Sequence, residues 1–229
     1  MENRIKINIL GIKLSFSNPL QKTNNKICLS KCDKSRILHR TRGLNVKFYG
    51  SNSCVEFTET VPNMKNVVIQ LGNNSKVIFG QTKYKIKNLF INMRADNATL
   101  IIGDDFSIES GAIDFHGEPN LKVEIGNDCQ FGCGIEIDPA DGHTLYNETT
   151  KEVLNTPENI KIGNHVWLCK NVSVLKGAIV SDNTVVGKNS IVTSKFDRTN
   201  IVIAGIPAKI VQSDKYSNIN WSRKANKDI

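Results

Sequence analysis

No Cys-x-x-Cys pair occurs anywhere in these 229 residues, and no uninterrupted apolar run approaches the ~20 residues that a membrane span needs. The first ten residues, Met1 to Leu10, hold neither an apolar h-region nor a small-residue cleavage site. A cytoplasmic protein is therefore expected, with its six cysteines (Cys28, Cys32, Cys54, Cys129, Cys133, Cys169) as reduced thiols. Two Cys-x-x-x-Cys pairs are present, but no second Cys/His cluster completes either, so no metal site is expected. Aromatic residues are sparse, at 7%, and only Phe16, Phe48 and Tyr49 lie among the basic residues near the start. Without a recognisable motif or a stacking platform, nucleic acid is not the expected partner. The 39% of hydrophobic and 23% of charged residues form an ordinary globular balance, which excludes wholesale disorder. The length suffices to bury one large core.

The net charge of +8 is unevenly spread. Residues 1 to 50 carry 11 Lys and Arg against 2 Asp and Glu, whereas residues 51 to 212 carry 15 against 18. A basic arm of this kind suits an anionic substrate or a peripheral membrane association, and it is equally compatible with a plain solvated surface.

The strongest pattern lies between Ile162 and Phe196. An aliphatic residue recurs at every sixth position: Ile162, Leu168, Val174, Val180, Val186 and Val192. Four residues after each come Val166, Val172, Ala178, Thr184, Ser190 and Phe196. A helix does not produce a period of six, and β-branched residues with Gly or Asn between them favour short strands joined by turns. The same grammar continues upstream with interruptions, from Ile125-Gly126 to Phe131, Ile102-Gly103 to Ile108, and Leu71-Gly72 to Val77, with an earlier version from Tyr49-Gly50 to Val55. Such a repeat builds a parallel β-helix, an all-β fold in which each coil stacks on the next and buries a column of side chains.

Over residues 125 to 211, and more weakly over 49 to 124, the sequence resembles the hexapeptide-repeat acyltransferases. The residues that carry the likeness are Ile162-Gly163-Asn164-His165-Val166-Trp167-Leu168, Leu175-Lys176-Gly177-Ala178, Val186-Gly187-Lys188-Asn189-Ser190-Ile191-Val192 and Ala204-Gly205-Ile206-Pro207-Ala208-Lys209. The resemblance implies a left-handed β-helix and a homotrimer with active sites between subunits. The expected organisation is a basic N-terminal extension over 1–44, a β-helix over 45–211 with an inserted loop at 138–159, and a polar tail over 212–229. Within the extension a strand or two (Ile5 to Leu14) and a polar linker (Asn18 to Arg36) are expected. Trp221 in the tail is expected to anchor against the coil end.

The sixfold register breaks between Ile137 and Ile162, and the loop left there holds Asp141-Gly142-His143-Thr144-Leu145-Tyr146. This stretch is similar to the Asp-x-His motif of sugar and capsular-polysaccharide O-acetyltransferases, in which a His-Val-Trp segment follows on the next coil. Here that segment is His165-Val166-Trp167, and polysialic-acid O-acetyltransferases share the His and Trp arrangement. The resemblance makes His143 the general base that deprotonates an acceptor hydroxyl as it attacks acetyl-coenzyme A. Trp167 would line the acetyl and pantetheine channel or cover the acceptor. The main-chain N–H of Cys169 is the candidate oxyanion donor, although Gly is usual at that position. Asp141 is a candidate to orient His143, and the same Asp-Gly also reads as a turn.

Lys170, Lys176, Lys188, Lys195 and Lys209 are candidates for the phosphates of coenzyme A, with Gly205 and Pro207 near its groove. His116 and Tyr146 are candidate acceptor contacts. His165 is expected to face outward beside a buried Val166. Three readings remain open from sequence: O-acetylation of a sugar in an acidic, sialic-acid-type surface polysaccharide, N-acetylation of a nucleotide-linked amino sugar, and a non-catalytic β-helical scaffold. A three-His zinc site from His116, His143 and His165, as in β-helical carbonic anhydrases, lacks the close His pair of those enzymes.

Overall fold

A computed structural model describes residues 24–31, 34–211 and 218–223 in full, and residues 5–9 and 12–16 as strands. Cys32, the start of the expected linker at 18–23, and the tail segments 212–217 and 224–229 lie outside the described residues. The structure is all-β, with no helix among the described residues. Three sheets of nine, eight and seven strands form the faces of a left-handed triangular prism, and the chain visits them in turn. One coil illustrates the path: Ile160–Ile162 on the first face, Trp167–Leu168 on the second, Ser173–Leu175 on the third, then Ile179–Val180 on the first again. Ladders between successive coils are parallel, as in Lys161 opposite Ile179 and Trp167 opposite Val185.

Stacking begins earlier than residue 45. Lys26–Lys31 pairs in parallel with Cys54–Thr58 and carries an antiparallel partner, Lys34–Ile37, inside the stretch expected as a polar linker. The reason is local alternation: Ile27 and Leu29 pack against the core while Lys26 and Ser30 stand outside it. Ile5–Ile9 and Ile12–Phe16 form a separate antiparallel hairpin.

Both phases of the sixfold repeat point inward. Leu168, Val174, Val180, Val186 and Val192 are fully buried, and so are Val166, Val172, Ala178, Thr184 and Ser190. Bulkier side chains fill the wider upstream coils, where Phe57 stacks on Phe79 at 5.5 Å and Phe106 meets Phe131 edge-on at 5.0 Å. The corners need left-handed backbone, and Asn supplies much of it: Asn52, Asn74, Asn97, Asn120, Asn171 and Asn189 all have positive φ. Their amides join coil to coil, for instance Asn97 Nδ2 to Asn120 Oδ1 at 3.0 Å. Gly126 shows why the Ile-Gly steps recur: a Cβ there would sit 2.6 Å from the Gly163 carbonyl carbon of the next coil.

Among the described cysteines none is bonded; Cys28 and Cys54 approach to 3.7 Å between sulfurs. Cys129 is in the core and Cys133 is exposed, so that Cys-x-x-x-Cys pair does not face one point. Among the described residues no helix is long and apolar enough to cross a membrane.

Candidate functional site

Near where the third face turns into the first, one strand position carries Asn92, Asp114 and Asp138 on three successive coils. Asn92 lies opposite Asp114, and the pairing of Ile113 with Ile137 brings Asp138 level with both. Asn92 Nδ2 donates to Asp114 Oδ1 at 2.9 Å, and the His116 main-chain N–H donates to the same oxygen at 2.8 Å. The His116 ring stands between two carboxylates, its Nε2 3.6 Å from Asp138 Oδ1 and its Nδ1 3.9 Å from Asp114 Oδ1. Burial pushes the Asp138 carboxyl up to about 6, against the opposing pull of His116. His116 itself sits at φ +50°, in the left-handed region where His, Asn and Asp are the side chains most often found.

The inserted loop is pinned over this corner. Asp141 pairs with Lys176 on the following coil and accepts from Asn155 Nδ2 at 2.7 Å; Asn155 also donates to the His143 carbonyl at 2.8 Å. The hydrogen bond from Lys176 holds the Asp141 carboxyl below the usual range, burial acting weakly in the opposite sense. Gly142 turns at φ +77° directly against His116, where a Cβ would lie 3.3 Å from Nδ1. This turn sets the exposed His143 with His116 at an open cleft of about 670 Å³ that Asp114, Asn92 and Arg94 also line.

Several sequence expectations change here. Asp141 does not orient His143; its carboxylate is committed to Lys176 and Asn155, and its role is to fasten the loop. Lys176 is for the same reason not a free phosphate ligand. The Cys169 N–H donates to the Val186 carbonyl at 3.0 Å as part of the coil ladder, so it is not available to an oxyanion. Burial raises the Cys169 thiol, which argues against a nucleophilic role. Tyr146 projects on the loop, bridged to Val153 and beneath the Lys151 ammonium, and does not line the cleft.

Trp167 stands on a different face. It is 36% exposed on the second face and lies 6.0 Å from Trp221, whose ring stacks on His165 at 4.2 Å. His165 faces outward as expected, with Nδ1 2.6 Å from Asp128 and Nε2 2.8 Å from the Trp221 carbonyl oxygen. Trp221 is thus an anchor, but against the flank of the prism and not its end. Arg223 locks the segment down through Asp128, Ser107 and the carbonyls of Asp105 and Cys129, and lies 4.0 Å over the Tyr84 ring. The three histidines do not converge: His116 and His143 share the cleft, whereas His165 belongs to this second cluster. Lys170, Lys188, Lys195 and Lys209 are exposed, and Gly205 and Pro207 form an exposed turn.

No protein-family model matches the chain. The polysialic acid O-acetyltransferase of Neisseria meningitidis is 33% identical over 194 residues, covering 76% of this chain and 88% of that protein. The chain belongs to the hexapeptide-repeat O-acetyltransferases. A putative lipopolysaccharide biosynthesis O-acetyl transferase, WbbJ of Escherichia coli K12, is 42% identical over 110 residues, which is 44% of this chain and 56% of that one. The crystal structure of the polySia-specific acetyltransferase NeuO superposes with a TM-score of 0.60 at 26% identity, over 82% of this chain and 93% of that chain. This O-acetyltransferase accordingly moves an acyl group to a sugar hydroxyl, and that chemistry implies an acyl-coenzyme A co-substrate.

Asn92, Arg94 and Asp114 in the cleft, Asp138 against His116, and Asp128 and Arg223 at the second cluster carry no signal of their own in the sequence. The usable signal was the coil length: Asn92 and Asp114 stand 22 residues apart, as do Arg94 and His116. A search at the sixfold spacing passes over that interval.

Proposed function

We propose that this O-acetyltransferase moves an acetyl group from acetyl-coenzyme A to a hydroxyl of a sialic-acid-containing surface polysaccharide, in the cytoplasm and as a homotrimer. The observation that carries the reading is the loop fastened by Asp141 and Lys176, which presents an exposed His143 next to His116 over an open polar cleft. His143 accepts the proton of the acceptor hydroxyl as that oxygen bonds to the thioester carbonyl carbon. The tetrahedral intermediate then loses the coenzyme A sulfur, and His143 returns the proton to it. The products are the sugar O-acetyl ester and the free thiol. His116, held between Asp114 and Asp138, positions the acceptor.

His143 and Trp167 belong to different faces of one chain, which favours a site shared between subunits, with Trp167 of a neighbouring copy walling the acetyl group. Lys188, Lys195 and Lys209, with the Gly205 to Pro207 turn, carry the coenzyme A phosphates. The polymer specificity of the Neisseria meningitidis relative supports an acidic acceptor over a nucleotide-linked amino sugar. The test is thiol release from acetyl-coenzyme A with sialylated, uronic-acid and neutral polysaccharides. Turnover with the sialylated polymer, reduced about 10²- to 10⁴-fold in His143→Ala, is the expected result. Turnover indifferent to His143→Ala, or confined to a neutral acceptor, contradicts it.

A further inference from the structure

We infer that Arg94, backed by Asn92 and Tyr49, forms a subsite for the carboxylate of an acidic sugar in the polymer that occupies the cleft; the inference rests on the O-acetylation of an acidic polymer proposed for that cleft. The pairing register makes the case. Phe48 lies opposite Leu71, Leu71 opposite Met93, and Asn92 opposite Asp114. Just past these strands Arg94 follows Met93 and His116 follows Phe115 on adjacent coils, and both line the same cleft. Adjacent coils are about 4.8 Å apart, so Arg94 is the immediate neighbour of His116 along the corner. A sugar whose hydroxyl meets the histidines lies within reach of the guanidinium.

The guanidinium is held but, among the described residues, not neutralised. Its Nε donates to Asn92 Oδ1 at 3.1 Å, and Asn92 is itself 8% exposed and fixed by Asp114. The Arg94 Cζ lies 5.6 Å from the centroid of the Tyr49 ring two coils back. Among the described residues neither terminal nitrogen meets an acceptor, and no carboxylate pairs with Arg94. The neighbouring acids are engaged elsewhere: Asp114 with Asn92 and the His116 N–H, Asp138 with His116, Asp141 with Lys176. A pre-oriented guanidinium with its outer edge open, in a cleft whose own acids have partners, matches a planar carboxylate presented from solution.

The test uses an oligomer of sialic acid, the same oligomer with its carboxyls reduced to alcohols, and a uronic-acid oligomer. Binding is measured without donor on the wild-type chain, Arg94→Ala and Arg94→Lys, and turnover with acetyl-coenzyme A is measured in parallel. Arg94→Ala is expected to weaken binding of the native oligomer about tenfold or more, Arg94→Lys less, and to leave the reduced oligomer, the KM for acetyl-coenzyme A and the melting temperature unchanged. Equal affinity of the native oligomer for wild type and Arg94→Ala overturns the subsite. So does a reduced oligomer that binds the wild type as tightly as the native one, or no binding of either acidic oligomer. Loss of oligomer affinity in Arg94→Ala alongside full turnover in His143→Ala would leave the subsite standing and remove His143 as the base.

Discussion

Asp138 carries its proton to an unusually high pH for a carboxyl, because burial beside Asp114 outweighs the attraction of His116. Its folded value of about 6 lies above the ordinary 3.8, so between roughly pH 4 and pH 6 the folded chain binds more protons than the unfolded one. The contribution of this carboxyl to stability therefore falls as pH rises through that window. In Asp138→Asn the fall should be absent, and melting temperatures from pH 4 to pH 7 check this; parallel curves for variant and wild type would refute it. Lys176 yields a second prediction at this scale. Since it is committed to Asp141, Lys176→Ala should lower kcat about threefold or more by loosening the loop under His143, while the KM for acetyl-coenzyme A stays the same and stability changes by no more than about 1 kcal/mol. A raised KM for the donor with kcat intact would return Lys176 to the phosphates.

At the scale of elements, the coil corners and the C-terminal segment make different demands. The Ile-Gly corners leave no room between coils, so Gly126→Ala should cost about 2 kcal/mol or more, read as a lowered denaturation midpoint. Arg223 holds the segment 218–223 by four hydrogen bonds, beside those that join Trp221 to His165. Arg223→Ala should release it, and the emission of Trp221, one of only two tryptophans, should shift to the red as its ring leaves His165. An unchanged spectrum would mean that the His165 stacking suffices alone. The coils from Ile162 to Phe196 were legible in sequence because 18 residues per turn divide into three sixes, the separation between Asn164 and Asp182 on adjacent coils. Upstream the coils take 22 to 24 residues and the first takes 28, so the sixfold count drifts and the grammar is interrupted. The strand Lys26–Lys31 escaped notice because only Ile27 and Leu29 mark its inner side.

For the whole molecule, the motif residues were readable and their alliances were not. The resemblance of the Asp-x-His loop and the His-Val-Trp segment to the O-acetyltransferases pointed to His143 and Trp167; it carried no information on Lys176 claiming Asp141, on Val186 claiming the Cys169 N–H, or on Arg94 sharing the cleft with His116. Those relations depend on register between coils, which a loop of unknown path hides. The same geometry puts His143 and Trp167 on separate faces, and the account joins them only across a subunit boundary. The most direct measurement is acetyl transfer to the acidic polymer by oligomers formed from His143→Ala and Trp167→Ala chains together. Each variant alone should be at least tenfold below wild type, and the mixed oligomer should regain a substantial fraction of wild-type turnover, because one boundary then combines an intact His143 with an intact Trp167. Mixed oligomers no more active than the two variants measured separately would contradict a shared site.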